Sequence, residues 1–108
     1  MENPIVVLVT VPSQKEGERI ARKLVENRLA ACVNIIPHLL SIYRWEGKIE
    51  EEGEFLLVIK TAADRFSELR EKIKRIHSYS VPEILALPVL DGNTDYMEWV
   101  YRETRAEG

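Results

Sequence analysis

Two short segments of the chain are apolar almost without interruption, and they constrain the fold more than any other feature. Residues 5–11 (IVVLVTV) and 55–60 (FLLVIK) are rich in β-branched and aromatic side chains, and each is too short for a buried helix. Such runs are typical of strands that are buried on both faces of a sheet. We therefore predict a β-strand at each position.

The segments around these runs complete a β-α-β-β-α-β order with one further helix. Ser13 and Glu16 fit a helix capping box, and apolar residues then recur at helical spacing as far as Val25, which predicts a helix over residues 13–27. Residues 31–45 have an extended pattern that Pro37 interrupts, and the acidic residues 50–54 predict a solvated hairpin arm or loop. Asp64 can cap a second helix, whose pattern reaches residue 76. Residues 84–90 predict another strand, and residues 94–105 predict a terminal helix.

This order predicts an α+β, ferredoxin-like split β-α-β sandwich with an antiparallel sheet, a long β2–β3 hairpin and a C-terminal helix. Right-handed crossovers place the first and third strands at the centre of the sheet. Pro37 and Pro88 agree with this order, because proline lacks an amide donor and is tolerated mainly in edge strands. A length of 108 residues fits one domain over residues 1–108.

The two apolar runs also predict self-association. Both helices of this fold cover the same face of the sheet, yet residues 5–11 and 55–59 carry apolar side chains toward both faces. The terminal helix can cover part of the second face, and an exposed apolar face of this size is unusual in a monomer. We expect further copies of the chain to cover the remainder.

Composition narrows the partners and the compartment. The formal net charge is -3, which disfavours nucleic-acid binding, and no apolar run approaches the roughly 20 residues of a membrane span. The single cysteine, Cys32, excludes a disulfide framework, and the first residues lack the basic start of a signal peptide. We expect a cytoplasmic protein that binds neither nucleic acid nor membrane.

Several separated blocks of sequence resemble the CutA family, in the family's order and along nearly the whole chain. They are residues 31–34 (ACVN), 41–47 (SIYRWEG), 60–61 (KT), 77–84 (HSYSVPEI) and the pair Tyr96 and Trp99. The chain departs from the family at Ser78, where proline is common, and at Ser80, where an acidic residue is common. If that acidic side chain is a ligand in relatives, this chain lacks it.

The resemblance implies a ferredoxin-like homotrimer whose long hairpin reaches a neighbouring subunit, similar in architecture to the PII-type signalling trimers. It also implies a role in tolerance to divalent cations, copper in particular, and no catalysed reaction. The matching blocks imply a cleft between subunits, lined at Cys32, Tyr43, Trp45, Lys60, His77, Tyr79 and Glu83.

Cys32 and His77 are the candidate metal ligands, because thiolate favours copper(I) and imidazole favours copper or zinc. The chain has no C-x-x-C or H-x-x-x-H pattern, so a metal site must be assembled across the fold or between subunits. Each residue also has a structural interpretation, Cys32 as a small buried hydrophobe and His77 as a partial cation at a helix C-terminus. His38, beside a proline, is expected to be solvated.

The other cleft candidates leave alternatives open as well. Tyr43 and Trp45 share one face of a strand, where they can pack against a neighbouring subunit or form a stacking surface for a small molecule. Lys60 ends an apolar strand and needs a partner, either Glu83 or a bound anion. Tyr79 and Glu83 flank a stiff turn that can be purely structural.

Catalysis has little support, because the chain lacks a nucleophile motif and a phosphate-binding loop, and a Cys32–His77 dyad would need an exposed, ionised thiol. We therefore predict a non-enzymatic cytosolic homotrimer without an organic cofactor. It would bind divalent metal ions, copper first, in clefts between subunits and contribute to the response to metal ions. Two alternatives stay open: a PII-like small-molecule sensor that signals to an unidentified protein partner, and a structural scaffold with no direct metal role.

Overall fold

Within residues 3–106, the part of the chain that the computed structural model describes, four strands and three α-helices follow one another in the predicted order. A 3₁₀ turn, Ala63–Arg65, precedes the second helix. The elements are β1 (Pro4–Val11), α1 (Gln14–Glu26), β2 (Cys32–Trp45), β3 (Lys48–Ala62), α2 (Phe66–Ile76), β4 (Ile84–Pro88) and α3 (Thr94–Glu103).

The four strands form one antiparallel sheet in the order β2-β3-β1-β4. The two apolar strands, β1 and β3, lie at the centre, and Val7 is directly opposite Ile59. Pro37 lies in a register shift between Ile36 and Leu39 on the edge strand β2, and Pro88 ends the other edge strand. The predicted ferredoxin-like α+β fold, with proline-bearing edge strands, is therefore confirmed.

The core lies between one face of the sheet and the helices α1 and α2. Its fully buried members include Val7, Val9, Leu57 and Ile59 from the sheet and Ile20, Leu24, Leu69 and Ile73 from the helices. Gly17 lets α1 approach the sheet closely, since a Cβ atom there would lie 3.2 Å from Val11 Cγ2 and 3.3 Å from Leu57 Cδ2. The Ser13 hydroxyl accepts a hydrogen bond from the Glu16 amide, as the capping pattern predicted.

The opposite side of the sheet, here called the open face, is only partly covered. Cys32, Lys60 and Val6 lie side by side on it, since directly opposite residues of neighbouring strands share a face. Helix α3 packs against β1 and β3 and brings Tyr96 close to Cys32. Three large apolar side chains stay about half exposed on the rest of this face: Ile36, Leu85 and Leu87.

The β2–β3 hairpin extends beyond the rest of the sheet as an arm, residues 39–54. The pairing of β1 with β3 ends at Phe55, whereas β2 and β3 stay paired to Trp45 and Lys48. Glu46 and Gly47 close the hairpin, both with positive φ, which is the conformation of a two-residue turn. The sequence placed the start of this strand at Phe55, and the structure places it seven residues earlier, at Lys48.

Among residues 3–106, none of the helices has the length and apolar character that crossing a bilayer requires.

Candidate functional site

A cavity of about 690 Å³ opens between the arm and the loop that joins α2 to β4. We call it the arm pocket. Tyr43 and Trp45 line it from β2, Glu54 lines it from β3, and Tyr79 and Glu83 line it from the loop. Hydroxyl groups complete much of the polar lining, from Thr10, Ser41, Ser78 and Ser80. The pocket therefore combines aromatic rings, carboxylates and hydroxyls.

Strand alternation gives the arm two chemically different faces. Tyr43 is directly opposite Glu50, and Leu39 is directly opposite Glu54, so these side chains share the face that borders the pocket. Leu40 and Ile49 belong to the other face, where they are 65% and 61% exposed. One face of the arm is thus aromatic and acidic, while the other carries exposed apolar side chains beside Arg44 and Glu51.

Glu54 is the most deeply buried charged group of the pocket, with only 6% of the residue exposed. The Tyr79 hydroxyl donates a 2.7 Å hydrogen bond to Oε2 of Glu54. Burial raises the pKa of Tyr79 well above its usual range, and the hydrogen bond to Glu54 raises it further. The phenol therefore stays protonated and remains a donor, and no side chain within residues 3–106 forms an ion pair with Glu54.

His77 lies behind the pocket, with both ring nitrogens engaged. Nε2 lies 2.8 Å from the carbonyl oxygen of Thr10, and Nδ1 accepts a 3.0 Å bond from the Tyr79 amide. Because a carbonyl can only accept and an amide N–H can only donate, the ring is the neutral tautomer with its proton on Nε2. Its side chain is fully buried. In this chain His77 holds the backbone that carries Tyr79.

Glu16 fixes the same loop from α1. Its Oε2 atom accepts a 2.8 Å hydrogen bond from the Ser78 amide and lies 3.5 Å from Nδ1 of His77. Burial by itself raises the pKa of Glu16, but the hydrogen bonds to Ser78 and the positive charge of the nearby Arg19 lower it overall. The carboxylate is therefore charged at neutral pH and anchors the start of the loop.

Cys32 and Lys60 lie away from the arm pocket, on the open face beneath α3. The Lys60 amine donates to the side-chain oxygen of Asn34, so its hydrogen-bond partner within the described chain is this amide rather than Glu83. Positions along β3 show how far apart the two predicted ligands are. Cys32 is directly opposite Lys60 of β3. His77 is bonded to Thr10, which is directly opposite Leu56 of β3. Lys60 and Leu56 are four residues apart, so Cys32 and His77 are separated along the sheet by roughly 13 Å, at a rise of about 3.3 Å per residue.

A metal site with both predicted ligands does not form within one chain. In the described part of the chain, no three His, Cys, Asp or Glu side chains are grouped as a metal site requires. Metal ligation by Cys32 and His77 stays a prediction, and it requires donors from more than one chain. The exposed His38 lies at the β2 bulge with φ 61°.

The structure brings together four of the seven predicted cleft residues: Tyr43, Trp45, Tyr79 and Glu83. Sequence reasoning missed Glu54, because it treated residues 50–54 as a solvated acidic stretch. That interpretation is wrong for Glu54, although Glu51 and Glu52 are exposed. The sequence did contain a signal for Glu54. It lies just before an apolar strand, and the alternation of side chains along that strand places it on the same face as Tyr43.

Comparison with known proteins places the chain among divalent-cation tolerance proteins. A family model described as CutA1 divalent ion tolerance protein matches residues 5–103. The divalent-cation tolerance protein CutA of Thermus thermophilus is 52% identical over 99 residues, which cover 92% of this chain and 96% of that protein. The rice protein named Protein CutA 1, chloroplastic, is 48% identical over 94% of this chain, which spans 57% of the rice protein's length.

Solved structures agree with this similarity. The divalent cation tolerance protein from Thermus thermophilus superposes with a TM-score of 0.93 at 51% identity, over 94% of this chain and 99% of that chain. The periplasmic divalent cation tolerance protein CutA from Archaeoglobus fulgidus superposes with a TM-score of 0.92 at 41% identity, with the same coverage of 94% and 99%.

Proposed function

Because the chain belongs to the CutA1 divalent ion tolerance family, we propose that it is a homotrimer that binds divalent metal ions, copper foremost, in clefts between its subunits. In this role it acts by binding rather than by catalysis, and it contributes to the response to metal ions. The observation that carries the proposal is the arm, an extended hairpin with an unpartnered apolar face beside a pocket with buried negative charge.

The apolar face of the arm supports assembly. Leu40, Ile42 and Ile49 are each about 60% exposed, and burying such a side chain stabilises by about 1–2 kcal/mol. Three arms together would contribute about 9–18 kcal/mol, whereas each association step costs about 4–15 kcal/mol. Two such steps cost about 8–30 kcal/mol, so the arms alone leave little margin, and burial of the exposed side chains of the open face (Ile36, Leu85 and Leu87) would add to it.

The donor atoms decide which cation the clefts would hold. Within one chain the arm pocket offers the carboxylates of Glu54 and Glu83 beside hydroxyl groups, a set of oxygen donors that suits hard cations. The thiol and imidazole that favour copper would come from Cys32 and His77 of adjoining copies, and His77 would have to give up one of its two hydrogen bonds. Copper specificity thus depends on assembly.

A competition titration against calibrated chelators tests the metal proposal. We expect copper(I) or copper(II) to bind near one ion per chain and more tightly than roughly micromolar. Cys32→Ser and His77→Ala should weaken binding if the soft donors hold the ion, and Glu54→Gln and Glu83→Gln should weaken it if the carboxylates do. His38→Ala, at an exposed imidazole, is the matched control. Binding that none of the four cleft variants alters would contradict the proposal and favour the scaffold alternative.

The aromatic walls of the arm pocket favour a second candidate, a PII-like sensor of a small molecule that signals to a protein partner. A volume of about 690 Å³ lies within the usual 300–1,000 Å³ of small-molecule sites. A metal ion needs neither this volume nor three aromatic rings. Equilibrium dialysis against a metabolite extract, followed by mass spectrometry, tests for a ligand that the parent enriches and a Trp45→Leu variant does not.

We also propose a cytoplasmic location, on the basis of the free thiol of Cys32. The rice and Archaeoglobus relatives bear the names chloroplastic and periplasmic, so the compartment needs its own test. Fractionation of cells that express the untagged chain should recover it with cytoplasmic markers.

A further inference from the structure

The arm pocket has an unusual balance of side chains. Three aromatic residues and two glutamates line it, and no lysine, arginine or histidine contributes to its lining among residues 3–106. We propose that the arm pocket binds a small alkylated ammonium cation. This inference rests on the second candidate function, the small-molecule sensor, and names the class of its ligand.

Within a single chain, the rings of Tyr43 and Trp45 are accessible to a ligand. They are 40% and 45% exposed, and neither makes an aromatic or cation–π contact within the described chain. The guanidinium–ring contacts of residues 3–106 lie elsewhere, on Phe66 and Tyr101. A cation over the face of an indole or phenol ring is attracted by the negative potential of the ring. The two arm rings can therefore form an attractive wall for a positive group.

Glu54 supplies the complementary charge. One carboxylate oxygen accepts the Tyr79 hydroxyl, and the residue is 6% exposed without an ion-pair partner in the described chain. A buried carboxylate without a counter-charge is unfavourable, and a bound cation would relieve that condition. Because Tyr79 fixes the orientation of the group, Glu54 is already positioned before a ligand arrives.

The surrounding charge is mostly of the same sign, and Lys48, directly opposite Trp45 at the end of the hairpin, is the exception. Glu50 and Glu52 lie on the pocket face of the arm, and Glu83 lies on the loop opposite. Burial raises the pKa of the Tyr43 hydroxyl, and Glu52, Glu50 and Glu54 raise it further. This negative field disfavours anionic ligands such as phosphates and favours cations.

Geometry selects an alkylated ammonium over a metal ion or a primary amine. No group of three metal-ligating side chains exists within residues 3–106, and a bare ion would leave most of the cavity unfilled. The oxygen atoms of the lining could also accept from a primary ammonium, but such a group has no alkyl surface to pack on the exposed rings of Tyr43 and Trp45. An alkylated ammonium sheds water easily and presents methyl groups to the rings.

Isothermal titration of the assembled protein with choline, and with its uncharged isostere 3,3-dimethyl-1-butanol, tests the inference. The two probes have the same shape, so the affinity difference isolates the charge. We expect choline to bind at least about tenfold more tightly than the alcohol. Trp45→Leu should weaken choline binding about fivefold or more, because it removes a ring and keeps an apolar side chain.

A matched pair of charge variants tests the role of Glu54. Glu54→Gln should reduce choline affinity about tenfold or more, whereas Glu51→Gln removes the same charge from the other face of the arm and should change it less than about twofold. Should Glu54→Gln fail to fold, Glu83→Gln at an exposed loop position replaces it, with a loss of about threefold expected. Three results would overturn the inference. The first is equal affinity for choline and the alcohol, and the second is an equal loss of choline affinity in Glu54→Gln and Glu51→Gln. The third is no binding of choline at all.

Light scattering and copper titration on the same samples separate this inference from the proposed function. A trimer that binds copper but not choline would refute the ammonium site alone. A monomer that binds choline would refute the trimer and leave the site in place.

Discussion

Glu16→Gln should destabilise the fold at neutral pH, and the loss should disappear in acid. In the parent, the Glu16 carboxylate accepts the Ser78 amide at 2.8 Å and lies 3.5 Å from the His77 ring. Glutamine can still accept from Ser78, but a hydrogen bond to a charged acceptor contributes about 1 kcal/mol more than one to a neutral acceptor. Burial of the carboxylate opposes that gain, so we expect a loss of about 0.5–1 kcal/mol at pH 7.

The sign of the pH dependence follows from the lowered pKa of Glu16. A carboxyl whose pKa is lower in the folded state than in the unfolded state stabilises the fold above the unfolded value, which is near 4.3 for glutamate. That stability is lost as the pH falls through the lower folded pKa. The difference between the parent and Glu16→Gln should therefore be constant from pH 6 to pH 8 and shrink progressively below about pH 4.

Urea unfolding at a fixed protein concentration measures this difference across the pH range. Glu18→Gln is the matched control, because Glu18 lies in the same helix and, among residues 3–106, bonds only to the exposed Gln14, so its effect should stay within about 0.5 kcal/mol. A deficit of Glu16→Gln that persists unchanged at pH 3 would refute the electrostatic explanation. A variant more stable than the parent at pH 7 would show that burial outweighs the bonds to the loop.

Three further substitutions test separate parts of the structure. Ile42→Lys places a charge on the exposed apolar face of the arm, so it should shift the light-scattering mass toward the monomer. The circular dichroism spectrum should stay the same. An unchanged assembly would contradict the role of the arm. Tyr79→Phe removes the hydrogen-bond donor to Glu54 and should lower the free energy of unfolding, measured by urea unfolding, by about 1–2 kcal/mol. An unchanged free energy of unfolding would show that water replaces the bond. Gly17→Ala gains about 1 kcal/mol of helix propensity but crowds Val11 and Leu57 at a cost of about 1–3 kcal/mol, so thermal unfolding should show a net loss. A higher melting temperature would show that α1 moves away freely.

Local patterns sufficed for most of the fold. The two continuous apolar runs became the central strands, the capping pattern began α1, and the prolines marked the edge strands. Each of these signals acts over a few residues, through strand burial, helix termini and the missing proline donor. The order of the strands then followed from the handedness of the crossovers.

Long-range contacts account for what the sequence did not predict. Residues 48–54 have weak β-propensity, yet pairing with β2 makes them a strand, because cross-strand contacts outweigh local preference. Asp64 was expected to cap α2, but it accepts two 2.7 Å bonds from Arg105, and the helix begins at Phe66. Both outcomes depend on residues far away in the sequence.

The candidate site was predictable only in part for the same reason. Tyr43 and Trp45 share a strand face by simple alternation, and Tyr79 and Glu83 share one loop, so their grouping followed from few contacts. The separation of Cys32 from His77 depends on the register of three strands, which no local pattern specifies. The burial of Glu54 depends on the Tyr79 loop folding over it.

Native mass spectrometry of the untagged protein, titrated with copper(II), tests the proposed metal-binding trimer most directly. One spectrum reports both the number of chains and the number of bound ions. We predict an assembly of three 12.5 kDa chains that retains up to three copper ions. The ions should stay bound at low micromolar concentration. A folded monomer, or a trimer that carries no more copper than its Cys32→Ser, His77→Ala and Glu54→Gln variants, would contradict the account.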